Sequence, residues 1–151
     1  MKILVFFLSI IYYGQNLFAV ERIEIPVYTF HRDDTNNVVL EQSLNLMWQD
    51  DESVLNVTKN WEEAVEYCQQ LSYLGFNNWR LPSIEELISL IDESKFSPAI
   101  NNNFKNVANE RYWSNNSFNR NQAWRVGFQF GGDFPNNKSV DSYVRCVRDN
   151  K

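Results

Sequence analysis

The segment NWRLPSIEEL, residues 78–87, combines a helix start with the extended chain that leads into it. Ser83 and Glu86 have the spacing of a capping box, in which each side chain accepts a bond from the other residue's backbone N–H. The proline before Ser83 disfavours helical backbone at Leu81, so the chain there is predicted to be extended. Trp79 and Leu81 are then expected to be buried. The segment is therefore interpreted as scaffold and not as a catalytic signature.

Two amphipathic helices are predicted around this segment. The first covers residues 60–75, with Asn60 as N-cap, Glu63 returning the capping bond and Gly75 as the stop signal. Its apolar stripe consists of Trp61, Ala64, Val65, Cys68 and Leu71 or Ser72. The second helix covers residues 83–92. Its apolar face consists of Ile84, Leu87, Ile88 and Ile91.

The N-terminal half also carries patterns typical of strands and turns. Residues 22–30 alternate like an edge strand interrupted by Pro26, and residues 31–37 are predicted to form a polar turn. Residues 38–48 predict a strand or hairpin pair. The apolar face of that pair consists of Val38, Leu40, Leu44, Leu46 and Trp48.

The C-terminal half begins with an asparagine-rich stretch, residues 95–111, which predicts a loop anchored by Phe96, Ile100 and Phe104. A strand is expected to begin at residues 112–114. Residues 123–130 alternate, which places Trp124, Val126, Phe128 and Phe130 on one face and Arg125, Gly127 and Gln129 on the other. A turn at Gly131-Gly132, a polar loop over 133–142 and a strand over 143–148 follow. The last strand has Val144 and Cys146 on one face. This order predicts an α+β fold, not alternating α/β.

The first residues have the order of a secretory signal peptide. Lys2 precedes the apolar run Ile3 to Tyr13, and Ala19 is a small residue at the expected cleavage site. The apolar run is too short to span a bilayer comfortably, which argues against a retained anchor. Residues 20–151 then have the length of one domain. We expect an exported protein, in the periplasm, on the outer cell surface or secreted, with no membrane span after cleavage.

The charge balance limits the possible partners. The chain carries 14 Lys and Arg against 19 Asp and Glu, a net charge of −5 with the histidine neutral. Removal of Lys2 makes the mature chain more acidic still. Nucleic acids and anionic membrane surfaces reward clustered cations, so neither is expected as a partner. The sequence leaves the oligomeric state open.

Two cysteines, Cys68 and Cys146, are present, and an even pair in an exported chain indicates one disulfide. Their spacing excludes a CxxC redox motif. The single histidine, His31, is predicted to be a surface residue, and it leaves a zinc site or a Ser-His-Asp triad without partners. No cofactor is expected.

The charged residues of the helices have ordinary structural explanations. The acidic pairs Glu62-Glu63 and Glu85-Glu86 each fall in a predicted first helical turn, where the helix dipole favours acids. They are therefore interpreted as helix-start features and not as catalytic carboxylates. Arg80 is interpreted as bonding backbone carbonyls or an acid inside the scaffold, with ligand contact as the alternative.

The candidate ligand-binding residues lie in two polar segments, residues 114–122 and 131–142. They mix amides, aromatics and charges: Asn115, Asn116, Phe118, Arg120, Asp133, Phe134, Asn136, Asn137 and Lys138. Such groups suit sugar or protein recognition, and they equally suit ordinary solvated loops. Asp133 and Asp141 are the only acids nearby, and calcium requires six to eight oxygens, so no metal site is expected.

Six segments occur together in an order that resembles a known family: LMWQDDE, NWEEAVEYCQQL, NWRLPSIEELISLID, YWSNNS, AWRVGF and VRCVR. From about Val38 to Arg148 the chain is similar to the Lcl C-terminal domain family of bacterial domains. The resemblance implies a C-type lectin-like fold, with two helices on a twisted antiparallel sheet and a long irregular loop region. It also implies a disulfide from the first helix to the final strand, where Cys68 and Cys146 lie.

The same resemblance suggests a function. The family's namesake lies at the tip of a collagen-like surface protein, which suggests a non-enzymatic binding or adhesion module for a glycan or for an envelope or host protein. The chain departs from that protein because it has no Gly-X-Y stalk and is acidic. Two alternatives remain open: an oxidase of the formylglycine-generating type, whose fold is similar, and a purely structural envelope component.

Overall fold

The computed structural model describes residues 27–151; the predicted signal peptide and residues 22–26 of the predicted edge strand lie outside that range. The described chain has nine strands and three helices, which confirms the α+β class. In order they are β1 (Phe30–Asp33), β2 (Val38–Glu41), β3 (Leu46–Gln49), α1 (Ser53–Asn56), β4 (Thr58–Lys59), α2 (Trp61–Gln70), α3 (Ile84–Ser89), β5 (Arg111–Ser117), β6 (Gln122–Gly127), β7 (Gly132–Asn137), β8 (Ser142–Tyr143) and β9 (Val147–Asp149).

The strands form two sheets. The first has the order β1-β2-β3-β9 and the second the order β4-β8-β5-β6-β7. All described pairs are antiparallel except β5 with β8, which pair in parallel between Tyr112 and Tyr143. The last two strands, β8 and β9, therefore lie in different sheets, and the chain must cross from one sheet to the other between them. No helix in this range is long and apolar enough to cross a membrane.

The core consists of two clusters, each named for the helix that packs in it. The buried residues of the α3 cluster are Val39, Leu46, Trp48, Val54, Leu87, Leu90, Ile100, Phe104, Tyr112, Val126, Phe128 and Val147. Those of the α2 cluster are Val38, Ala64, Cys68, Trp79, Leu81, Trp113, Ala123, Val144 and Cys146. Neighbouring residues of one strand belong to different clusters, as Val38 and Val39 do on β2 and Tyr112 and Trp113 on β5. Both faces of these two strands are therefore covered. For this reason Val39 is buried although the alternating pattern did not predict it.

The opening segment has the predicted structure. Trp79 and Leu81 are buried, and the backbone of Arg80 exchanges two 2.9 Å hydrogen bonds with Val147. The Ser83–Glu86 capping box is complete. The segment therefore joins helix α3 to the first sheet, and the predicted burial and capping box are confirmed.

The two predicted helices exist but are shorter than expected. Helix α2 begins after Asn60, whose side chain accepts the Glu63 N–H, but the predicted return bond is absent. The helix ends at Gln70, and Gly75 lies in a separate turn with φ of +78°. In α3, which ends at Ser89, Ile88 is exposed instead of buried. The buried side of this stretch carries Leu87, Ser89 and Leu90, so Ile88 points to solvent.

Cys68 on α2 and Cys146 just before β9 form a disulfide, which confirms the predicted bridge. The predicted single strand over 143–148 is wrong, because residues 144–146 form no strand and connect β8 in one sheet to β9 in the other. The cystine therefore fixes the crossing point to helix α2.

Arg145 occupies the middle of this crossing and is fully buried beside Asp50. One Arg145 amino group donates to Asp50 Oδ1 at 2.7 Å and to the Gln49 carbonyl at 2.8 Å, and the other donates to the Asn106 carbonyl at 2.6 Å. Arg32 bonds the second oxygen of Asp50. Burial of charges requires such pairing, so this network ties β1, β3, the asparagine-rich loop and the crossing together.

The chain around β1 and β2 departs from its predicted strands and turn. Residues 27–29 form no strand, and β1 begins at Phe30 and runs through residues predicted as a turn. Its pairing with β2 imposes the extended backbone. His31 is exposed, as expected. The hairpin over 38–48 is confirmed, although Leu44 in its turn is exposed.

Helix α1 and strand β4 were not predicted from the sequence. In the later loop, Ile100 and Phe104 are buried as expected, but Phe96 is 77 % exposed.

The C-terminal hairpins differ most from the prediction. Strand β6 ends at Gly127, and Phe130 is 74 % exposed in the turn that Gly131 makes with φ of +70°. The predicted polar loop over 133–142 begins as strand β7, which pairs with β6 along its whole length. Residues of this edge strand are largely exposed on both faces, so they lack the apolar alternation by which strands are recognised.

We expect Asp50→Ala to lower the free energy of unfolding by about 3–5 kcal/mol, because it leaves buried guanidinium groups without their carboxylate. Lys105→Ala is the matched control, since it removes an ion pair with Asp34 in which both side chains are exposed. It should cost far less. Urea unfolding of both variants measures the difference, and losses of equal size would contradict the importance of the buried pair.

Trp79→Ala should lower the free energy of unfolding by about 3–5 kcal/mol through loss of a large buried aromatic. Ser83→Ala should cost about 1 kcal/mol through the lost helix cap. Phe96→Ala provides a control at an exposed aromatic and should melt like the wild type. A wild-type melting temperature for Trp79→Ala would show that the scaffold interpretation is wrong.

Candidate functional site

The residues predicted to bind ligand lie on strands β5 and β7, in the turn after β5 and just beyond β7. Strands β5, β6 and β7 with their connections, residues 111–138, are called the β5–β7 surface here. The segment predicted as a loop over 114–122 is strand to Ser117, followed by a hairpin turn into β6. The candidate side chains are therefore carried by a hydrogen-bonded framework that fixes their spacing.

The tip of the β5–β6 hairpin is internally bonded. Asn119 Oδ1 accepts the N–H groups of Asn121 and Gln122, both at 2.9 Å, and its amide nitrogen donates to Gln122 Oε1 at 2.7 Å. Phe118 is 50 % exposed. Its ring meets the Trp124 ring edge to face at 5.0 Å between centroids. An aromatic pair is thus presented on a well-bonded turn.

The remaining residues of the first predicted segment differ in role. Asn116 Oδ1 accepts the N–H of Ile84 at 2.9 Å, which caps helix α3 from outside. The backbone N–H of Asn115 bonds the Pro82 carbonyl, while its side chain is exposed. Arg120 is exposed at the tip. No sequence pattern indicated that Asn116 caps α3, because Asn116 and Ile84 are distant in the chain.

The second predicted segment lies along the sheet edge. Asp133 is exposed and Phe134 is 46 % exposed. Asn136 Oδ1 accepts the Asn137 N–H at 2.8 Å, and Asn137 Oδ1 accepts bonds from Ser139. These amides support the strand end.

Lys138 follows Asn137 and is held by backbone bonds. Its N–H donates to the Asn121 carbonyl at 2.8 Å, and its carbonyl accepts the Trp61 N–H at 2.9 Å. Its ammonium group lies 4.1 Å from the centroid of the Trp61 ring.

Strand alternation gives the β5–β7 surface two different faces. Trp124 lies opposite Pro135, and Arg125 lies opposite Phe134, so Trp124 and Arg125 point to opposite sides. The sequence placed these two residues on opposite faces correctly. The Arg125 guanidinium lies 5.3 Å from the Trp113 ring centroid and donates to Ser142 Oγ at 2.9 Å.

Burial, with a smaller contribution from the nearby charge of Arg111, lowers the pKa of Arg125. Its Nε atom is buried and has no acceptor among the described residues. Neither Arg111 nor Arg125 was among the sequence candidates. The available signal was the position of Arg125 on the polar side of the predicted strand.

No three His, Cys, Asp or Glu side chains converge on a metal-sized site within residues 27–151. The expectation that no metal binds remains a prediction. Arg80 donates two 2.7 Å bonds to the Glu86 carboxylate, and Asp149 lies 3.5 Å away. The bond to Glu86 is the main reason that the pKa of Arg80 is raised. Arg80 thus pairs with an acid inside the scaffold, as interpreted.

Glu41 is a buried acid that sequence reasoning missed. It is fully buried on β2, where one carboxylate oxygen accepts the Trp48 Nε1–H at 2.7 Å. The other oxygen has no partner among the described residues. Burial raises the pKa of Glu41, since an apolar environment disfavours the charged form.

The Lcl C-terminal domain family matches residues 37–148. The match covers most of the chain, and the protein belongs to this family. A search of curated proteins finds no match to the chain.

We expect the pKa of Glu41 to make stability fall with rising pH. The folded state holds the proton more tightly than the unfolded chain, whose glutamate titrates near pH 4.3. The favourable contribution is therefore complete below that pH and is lost as pH rises through the raised folded value.

Glu41→Gln keeps an acceptor for Trp48 but cannot ionise, so it should not lose stability as the pH rises. The free energy of unfolding of Glu41→Gln, relative to that of the wild type, should therefore increase from pH 4 to pH 7. Glu110→Gln, at an exposed residue, is the control. Urea unfolding at both pH values measures the effect. A difference between wild type and Glu41→Gln that does not change with pH would contradict this assignment.

Proposed function

We propose that this protein is an exported, non-enzymatic binding domain with a C-type lectin-like fold that acts in the periplasm or on the outer cell surface. It recognises a glycan or an envelope or host protein through the β5–β7 surface. The observation that carries this proposal is the half-exposed Phe118 ring, packed edge to face on Trp124 at a hairpin tip that also carries the exposed Arg120. Aromatic area beside adaptable polar groups supports recognition at low entropic cost.

The rigidity of the hairpin tip supports the same proposal. Asn119 fixes the turn through three hydrogen bonds, so the Phe118 ring is positioned before any ligand arrives. Preorganisation of this kind reduces the entropy lost on binding. Phe118 itself is half exposed although it contacts Trp124, so a large part of its ring remains free for a ligand.

The state of the cysteines favours binding over the oxidase alternative. Cys68 and Cys146 are the only cysteines in the sequence, and both are buried in one disulfide. A formylglycine-generating type of oxidation needs reactive thiols. The bridge between helix α2 and the C-terminal segment also supports the C-type lectin-like assignment, since the family resemblance implied a disulfide in that position.

A glycan and envelope-protein binding screen of residues 20–151 tests the proposal. Phe118→Ala should weaken binding of a screened ligand by about tenfold or more, the cost of removing an interface hot spot. Phe96→Ala removes another exposed aromatic, outside the β5–β7 surface, and should bind like wild type. A chelator should have no effect.

Three outcomes would argue against this function. Equal affinities of wild type and Phe118→Ala for the ligand would show that it binds at another part of the protein. Complete loss of binding on chelation would return calcium to consideration. Two freely alkylated thiols in protein recovered from the envelope, detected by intact mass, would favour the oxidase.

A further inference from the structure

One face of the β5–β7 surface carries three cations, each held over an aromatic ring. The Arg111 guanidinium lies 5.5 Å from the Phe134 ring centroid. Arg125 lies over Trp113 and Lys138 over Trp61 at the distances given above. These cations, Arg111, Arg125 and Lys138, are called the cationic face. Cation–π contacts position a charge while leaving it uncompensated.

The cationic face has no carboxylate partners among the described residues. Five other cations in residues 27–151 are paired with acids within 4.0 Å, namely Arg32, Arg80, Lys95, Lys105 and Arg145. Lys59, Arg120, Arg148 and Lys151 have no such pair in this range, but the register does not group them as it groups Arg111 with Arg125. Within residues 27–151 no ion pair involves the cationic face. A local excess of positive charge therefore persists in a chain whose net charge is −5.

The strand register brings these groups together. Arg111 lies opposite Gly127, and Arg125 lies opposite both Trp113 and Phe134, so Arg111 and Arg125 are diagonal neighbours on one face. Phe134 packs over glycines: a Cβ on Gly132 would lie 3.1 Å from its ring, and one on Gly127 would lie 3.7 Å from it. Glycine at these positions lets the ring lie close to the sheet with Arg111 above it.

The surroundings of Arg125 indicate an unmet demand for negative charge. Its Nε atom has no acceptor among the described residues, and Ser142 supplies only a neutral oxygen to one amino group. Burial and repulsion from Arg111 lower the pKa of Arg125, and a bound anion would offset both effects by favouring the charged guanidinium.

We propose that the cationic face binds a carboxylated polysaccharide, with a sugar carboxylate received by Arg111 and Arg125 and a further carboxylate by Lys138. This inference rests on the proposed function of a glycan-binding domain and names the ligand class of a second face, opposite the one that carries Trp124. A guanidinium group matches a carboxylate through parallel N–H bonds. The half-exposed Phe134 ring offers an apolar face to a sugar, and the Asn136 amide nitrogen can donate to its hydroxyl groups.

The charge balance favours sparse carboxylates over dense sulfates. The cationic face is small and the rest of the chain is acidic, so a polymer with several charges on each sugar would be repelled beyond this face. A polymer with one carboxylate per sugar places fewer charges against the acidic remainder. Poly-glutamate has the same anionic group but lacks hydroxyl groups to which Asn136 can donate.

Binding of residues 20–151 to immobilised polygalacturonate, dextran sulfate, neutral dextran and poly-glutamate tests the proposal. Wild type should bind polygalacturonate most tightly, and more weakly at high salt because ions screen the contacts. Arg111→Gln should weaken that binding about tenfold, a loss equivalent to about 1.4 kcal/mol. Lys151→Gln, an equal loss of charge beyond β9 in the other sheet, should bind like wild type.

Arg111 is exposed, so its substitution should leave the fold intact; a melting curve checks this. Arg125→Lys keeps the charge but loses the guanidinium geometry and should weaken polygalacturonate binding as well. Tightest binding to dextran sulfate, poly-glutamate or neutral dextran would overturn the ligand class. Equal affinities for Arg111→Gln and Lys151→Gln would overturn the site. If one of these results is found and a ligand from the screen still requires Phe118, only this inference is overturned. The proposed binding function then stands.

Discussion

The buried ion pair between Arg145 and Asp50 is the constraint on which the rest of the structure depends. Arg145 lies where the chain leaves one sheet for the other, and Asp50 directly follows β3, the strand that borders β9. Charges so deeply buried persist only with their partners, and here backbone carbonyls and Arg32 complete the bonding. The pair therefore fixes the crossing, and the adjacent cystine attaches it to helix α2.

With the crossing fixed, the second sheet extends away from the core through β5, β6 and β7. Its inner part is covered on both sides by the α2 and α3 clusters, whereas β7 is an exposed edge. Side chains alternate between the two faces of β6, so Val126 and Ala123 enter different core clusters. For the same reason Trp124 and Arg125 point to opposite sides. One framework thus presents an aromatic tip on one face and uncompensated cations on the other, which is the physical basis of both binding proposals.

Sequence reasoning succeeded where the structural cause was local. The capping box of Ser83 and Glu86, the Asn60 cap and the buried Trp79 all follow from neighbours within a few residues. It failed where burial depended on distant chain. Phe130 and Ile88 fitted apolar patterns but face solvent, and Arg145 appeared to be an ordinary polar strand residue but is completely buried.

The sequence by itself determined the α+β class, the cystine, the membership of the Lcl C-terminal domain family and the segments that hold the candidate ligand residues. Tertiary structure alone decided that β7 is a strand, that Asn116 caps helix α3 and that Arg111 joins Arg125 over one face. The reason is that helix caps and apolar periodicity act between near neighbours in the chain. Strand register, buried ion pairing and the grouping of cations depend instead on residues that only the fold brings together.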